Sequence, residues 1–148
     1  MKILVLHGPN LNMLGTREPA IYGRETLDEI NRRILQTGSE AGIEIECFQS
    51  NEEGVLVTRL QQAYGRFDGV IFNPAAYTHT SVALHDAIKS SGLPCVEVHL
   101  SNTHKREAFR HVSLTASACV GQIMGFGAEG YLLALAALVD IVKKGKAL

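Results

Sequence analysis

Glu97 and His99 stand two apart at the end of the apolar run Cys95 to His99, so on a strand both side chains lie on one face. A carboxylate beside an imidazole fixes its tautomer and favours its charged form, which is what a general acid needs near neutral pH. A structural histidine satisfied at a strand end fits the same spacing. Leu100 and Ser101 follow at once. Their backbone N–H groups, at the start of a helical turn, suit a carboxylate or phosphate, although Ser101 or Asn102 as a plain cap fits equally well. The stretch Asn73-Pro74-Ala75-Ala76-Tyr77-Thr78-His79-Thr80-Ser81 sets Asn73 and His79 on either side of a tight turn. That mixture of donors and acceptors suits a polyol, whereas Thr80 and Ser81 read better as helix caps. In the Gly- and Asn-rich stretch from Gly8 to Gly23 the reactive side chains are Arg17 and Tyr22. A phenol serves as a base near pH 7 only if its pKa falls by about three units, roughly 4 kcal/mol, which a close guanidinium supplies in a water-excluded site. Loop arginines and tyrosines that are simply solvated are the alternative. The six histidines do not read as a metal centre, since no two have helical i, i+4 spacing and no Cys-x-x-Cys accompanies them. Gly8 to Gly15 lacks the Gly-Lys-Ser/Thr of a phosphate loop, so nucleotide hydrolysis has no support.

These clusters need elements to hold them, and each sits where an apolar strand breaks off. Lys2 to His7, Ile43 to Phe48, Gly69 to Asn73, Cys95 to His99 and Cys119 to Met124 read as five strands. Thr26, with Glu29 three residues later, opens a helix that stops at Gly42 and carries Leu27, Ile30 and Ile34 inward. Asn51 is placed to cap a second helix ending at Gly65, and Thr80 or Ser81 to start a third closing at Gly92. A short helix is expected around Lys105 to Phe109, and a long Ala/Leu-rich one from Ala128 to Lys144, mostly buried by this fold or by a neighbouring subunit. The order predicts an α/β fold, a flavodoxin-like doubly wound five-stranded parallel sheet in three layers. In such a sheet, ligands bind outside the carboxyl ends of the strands, so the clusters should converge on one pocket. The stretch from Gly8 to Gly23 is long for a strand-to-helix connection and reads as a lid, about residues 15–24.

At 148 residues, 46% of them hydrophobic, the sequence suits one catalytic domain over 1–148 with a core of its own. Its formal charge of −1 leaves no long-range field for nucleic acid or an anionic membrane. No apolar run approaches the roughly 18 residues of a membrane span, and the N-terminal run is too short for a signal peptide's core, so the expected address is the cytoplasm. Cys47, Cys95 and Cys119, an odd and widely spaced set, read as buried reduced thiols.

Taken together, Gly8-Pro9-Asn10-Leu11-Asn12, Arg17-Glu18-Pro19 with Tyr22-Gly23, the Asn73 to Ser81 stretch, Glu97-Val98-His99-Leu100-Ser101-Asn102, and Gly125-Phe126-Gly127 with Gly130-Tyr131 resemble the type II 3-dehydroquinate dehydratases over essentially the whole chain. The resemblance implies a lyase that removes water from 3-dehydroquinate in the anti sense through an enolate, without Schiff base, metal or organic cofactor. Carried onto this sequence, it makes Tyr22 the base, with Arg17 holding it ionised, and His99, oriented by Glu97, the acid that protonates the departing hydroxyl. Asn10 would help hold the water that stabilises the enolate. Leu100 and Ser101 would bind the substrate carboxylate through their backbone, Asn73, His79 and Arg110 would hold ring hydroxyls, and Asp86 would reach in from a neighbouring subunit of a dodecamer built from trimers. Ala75 departs from the glycine that many members carry there. The competing reading is a non-catalytic flavodoxin-like module that binds flavin or a small anionic metabolite in the same crevice.

Overall fold

The protein is described by a computed structural model that covers residues 1–16 and 18–145, apart from the side chain of Tyr22. Five strands, β1 (Lys2–His7), β2 (Glu44–Gln49), β3 (Gly69–Asn73), β4 (Cys95–His99) and β5 (Gly121–Met124), form one all-parallel sheet in the order β2-β1-β3-β4-β5. Two-residue alternation along the strands builds two cores. Ile3, Val5, Ile71, Val96 and Val98 face α2 (Leu27–Glu40) and α5 (Glu129–Lys143). Leu4, Leu6, Val70, Phe72 and Cys95 face α3 (Glu53–Ala63) and α4 (Val82–Ser91). The flavodoxin-like three-layer fold follows directly from that division.

Local signals act as read in several places. Thr26 and Glu29 form a full capping box at the start of α2, and the Ser81 hydroxyl accepts the Leu84 N–H to start α4. Elsewhere tertiary contacts prevail. Asn51 does not cap α3: Glu52 occupies that position without a side-chain cap, because Asn51 Oδ1 accepts the backbone N–H of Asn10 and the side-chain amide of Gln49. The short helix expected around Lys105 to Phe109 is instead two 3-10 turns, Thr103–Lys105 and Ala108–Arg110, parted where Arg106 and Glu107 turn to extended backbone. Strand β5 begins at Gly121 rather than Cys119, since a 3-10 turn at Ala116–Ala118 holds the preceding segment.

The stretch after β1 holds a 3-10 turn, Leu11–Met13, and a one-turn helix α1 (Pro19–Tyr22). It leaves β1 through Gly8, whose N–H donates to the Asn73 carbonyl at 2.7 Å. A Cβ at Gly8 would lie 2.4 Å from the Pro74 carbonyl oxygen, so only glycine lets the β1 and β3 loops meet. Helix α5 buries Tyr131, Ala134, Leu135, Leu138 and Ile141, while Leu133, Ala136 and Ala137 stay exposed. Cys95 is buried; Cys47 and Cys119 are only half-buried, and all three are free thiols. Contact with the Cys119 thiol and burial push Cys95 well above the ordinary thiol range. Among the described residues no helix is long and apolar enough to cross a membrane, and no group of three His, Cys, Asp or Glu is placed to hold a metal ion.

Candidate active site

The carboxyl ends of β1, β3 and β4 open into one cleft of about 570 Å³, part of it open to solvent, on the scale of a small-metabolite site. The β1 loop contributes Asn10, the β3 loop Asn73, Ala75 and His79, and the β4 loop His99, Leu100, Ser101, Arg106 and Arg110. This is the point where the chain, having gone outward to β2, returns to the other side of β1 as β3. Seven of the candidate residues read from the sequence therefore meet here: Asn10, Asn73, His79, His99, Leu100, Ser101 and Arg110.

Glu97 lies just beneath, fully buried, two residues back along β4 from His99. His99 Nε2–H donates to Glu97 Oε2 at 2.9 Å, which leaves Nδ1 as the nitrogen open to a ligand. The same carboxylate accepts from Gln122 Nε2 at 2.6 Å, from the Ser113 hydroxyl at 2.9 Å and from the Thr115 hydroxyl. Burial alone would push the Glu97 carboxyl up. The hydrogen bond and charge of His99, with the Thr115 and Ser113 hydroxyls, outweigh it and hold the group below the usual carboxylate range. Sequence reasoning missed Ser113, Thr115 and Gln122. The one available signal was Gln122, a lone amide in a short strand, which the β4-β5 register sets directly beside Glu97.

The other polar groups present defined faces. His79 Nδ1 sits 2.8 Å from the Val112 carbonyl, so Nδ1 carries the proton and Nε2 is an acceptor when the ring is neutral. Arg110 Nε donates to Glu107, leaving its other donors for the cleft. After β4 there is no helix to lend a dipole; Asn102 caps a single 3-10 turn, and Ser101 Oγ accepts from Arg106 at 3.3 Å. The carboxylate-binding idea thus rests on backbone N–H groups of Leu100 and Ser101 and on the nearby guanidinium of Arg106, which sequence reasoning did not single out. Asn10 takes the left-handed conformation, φ 69°, which asparagine tolerates better than most residues. Asp86 is on the exposed side of α4 and does not line this chain's own cleft. Arg17 and the side chain of Tyr22 lie outside the described residues.

The family model described as "Dehydroquinase class II" matches residues 1–139. A 3-dehydroquinate dehydratase of Geotalea daltonii is 63% identical over 144 residues, covering 97% of this chain and all of the relative. One from Desulforudis audaxviator is 57% identical, over 99% of this chain and 97% of its own. The crystal structure of type II dehydroquinase from Butyrivibrio crossotus superposes with a TM-score of 0.93 at 47% identity, covering 94% of this chain and 97% of the other. With a family model over nearly the full length and relatives at this identity, the chain belongs to the class II dehydroquinase family.

Proposed function

We propose that this chain catalyses the loss of water from 3-dehydroquinate to 3-dehydroshikimate. The observation that carries the reading is the buried Glu97–His99 pair opening onto a cleft whose other polar side chains are neutral hydrogen-bonding groups and guanidinium. Tyr22 takes the proton from the carbon next to the ketone, Arg17 keeping its phenol ionised, and an enolate forms. Asn10 helps hold the water that stabilises the enolate oxygen. His99, oriented by Glu97, then protonates the hydroxyl at the neighbouring carbon, which leaves as water as the double bond forms. Leu100 and Ser101 take the carboxylate by their backbone, while Asn73, His79 and Arg110 take ring hydroxyls. The segment about 15–24 closes over the cleft as a lid of the single catalytic domain.

Asp86, exposed and not lining its own cleft, fits a role in a neighbouring subunit's site, and the proposed assembly is a dodecamer of four trimers in the cytoplasm. No cofactor enters any step. The relatives compared above are all named as dehydratases or dehydroquinases, which leaves the flavin-binding alternative without support.

The test is continuous. Purified protein with 3-dehydroquinate should give rising ultraviolet absorbance from the conjugated enone, unaffected by borohydride, which would trap a Schiff base. No rise from correctly assembled protein would defeat the proposal, and near-normal turnover by Tyr22→Phe or Arg17→Ala would remove the lid base from it.

A further inference from the structure

Behind Asn73 lies a polar chain of Tyr131, His7 and Asn31, three residues with no role given so far. Tyr131, fully buried on α5, places its hydroxyl 3.1 Å from Asn73 Nδ2 and 2.9 Å from His7 Nδ1; His7 Nε2 lies 2.7 Å from Asn31 Oδ1. The direction of every bond follows from one backbone group. The Ala75 N–H can only donate, and it points at the Asn73 side-chain atom 3.0 Å away, so that atom is the amide oxygen and the other is the NH₂. The NH₂ then donates to the Tyr131 oxygen. The phenol keeps its own proton, as burial pushes its pKa up, and gives it to His7 Nδ1, which must be a bare lone pair. His7 therefore carries its proton on Nε2 and donates it to the Asn31 oxygen. Reversing the Tyr131–His7 link would leave the buried phenol proton with no acceptor among the described residues.

The amide of Asn73 is thereby locked at both ends, and it is 2% exposed. Its second N–H makes no hydrogen bond among the described residues, and Asn73 lines the cleft. We infer that Tyr131, backed by His7 and Asn31, is a positioning residue that fixes Asn73 as a donor toward the cleft, so that this point of the site reads the lone pair of a substrate hydroxyl and rejects a group that can only donate. His79 offers the complementary acceptor across the turn. Together the two give the hydroxyl a defined orientation, which a freely flipping amide would not. The inference rests on the reading above that Asn73 holds a ring hydroxyl.

A double-mutant cycle on the full-length enzyme with 3-dehydroquinate tests it. Tyr131→Phe keeps the ring and removes the hub, and its KM should rise about three- to tenfold with kcat much less changed, the span of one neutral hydrogen bond. In an Asn73→Ala background the same substitution should add nothing. A loss that multiplies in both backgrounds would overturn the relay and make Tyr131 purely structural. An unchanged KM in Asn73→Ala alone would overturn the hydroxyl-binding role itself, and the relay with it. Should Tyr131→Phe not fold, the histidine carries the test. His7→Leu should raise KM as Tyr131→Phe does, while His7→Gln, which keeps an acceptor and a donor in line, should stay within about twofold of the parent. Equal KM values for His7→Leu and the parent would overturn the proposal.

Discussion

Strands β1 and β4 each end in a histidine at the carboxyl end of the sheet, and both are buried, at 0% exposure for His7 and 6% for His99. Their partners differ. His7 meets only neutral groups, a phenol and an amide, and burial lowers its pKa to about 4, the Asn31 hydrogen bond opposing in part. His99 meets a carboxylate that itself collects donors from three further side chains. The same residue type at equivalent positions in the fold is thus held by neutral partners in one case and paired with a carboxylate in the other. What separates them is the charge placed beside the ring, since strand position and burial are shared.

Breaking the charged pair should have the largest effect. Loss of an aligned general acid costs about 10² to 10⁴ in rate. His99→Ala is expected to lower kcat by that span in the enone assay, with Glu97→Gln following it because the amide can no longer charge-balance the ring. Equal kcat for His99→Ala and His7→Gln would erase the distinction between the two histidines.

The next effect is on stability, and it has a sign for each group. His7 is neutral when folded, with a pKa of about 4 against 6.5 for the free side chain. Between those values the unfolded chain binds the extra proton, so stability falls as pH drops from about 6.5 to about 4, by roughly 3 kcal/mol at about 1.4 per unit. Glu97 works in a lower window. Its folded pKa lies below 4.5, so its contribution is complete above that value and is lost only as pH falls through the lower folded one. Denaturant midpoints measured from pH 7 to pH 4 should therefore fall for the parent and flatten for His7→Gln. An equally steep fall in that variant would place the titration elsewhere. Thr115→Val sharpens the other side: loss of a hydrogen bond to a buried charge should cost about 1.5–3 kcal/mol at pH 7 and less once the pH falls through the lowered Glu97 value and the carboxylate takes up its proton.

These two networks also mark how far the sequence could be read. Strands β1 to β4, the capping box at Thr26 and the Ser81 cap depend on neighbours within a few residues, and they appear within a residue of where the pattern puts them, whereas β5 starts two residues late. Glu97 and His99 share a face because strand geometry is local. Ser113, Thr115 and Gln122 reach Glu97 across 16 to 25 residues, and Tyr131 reaches His7 across 124; no periodicity encodes such separations. The Asn51 cap failed for the same reason, its side chain being drawn to the Asn10 loop. Tyr131 stood in view beside Gly130, yet nothing in its spacing told a core tyrosine from the hub of a relay.

The smallest expected effect is at Ala75, whose N–H sets the direction of the relay. Its φ is 54°, in the left-handed region where a Cβ is disfavoured. Such a residue carries about 1–2 kcal/mol of strain, and glycine would relieve it while adding roughly 0.4–1 kcal/mol of freedom to the unfolded chain. Ala75→Gly should therefore be more stable by about 0.5–1 kcal/mol, seen as a higher denaturation midpoint. Because the backbone N–H that holds the Asn73 oxygen is retained, KM for 3-dehydroquinate should stay within about twofold. A lower midpoint would mean that the strain is already relaxed by the β1 loop, whereas a raised midpoint with a raised KM would mean that the stiffness of Ala75, and not its N–H alone, keeps the amide in line.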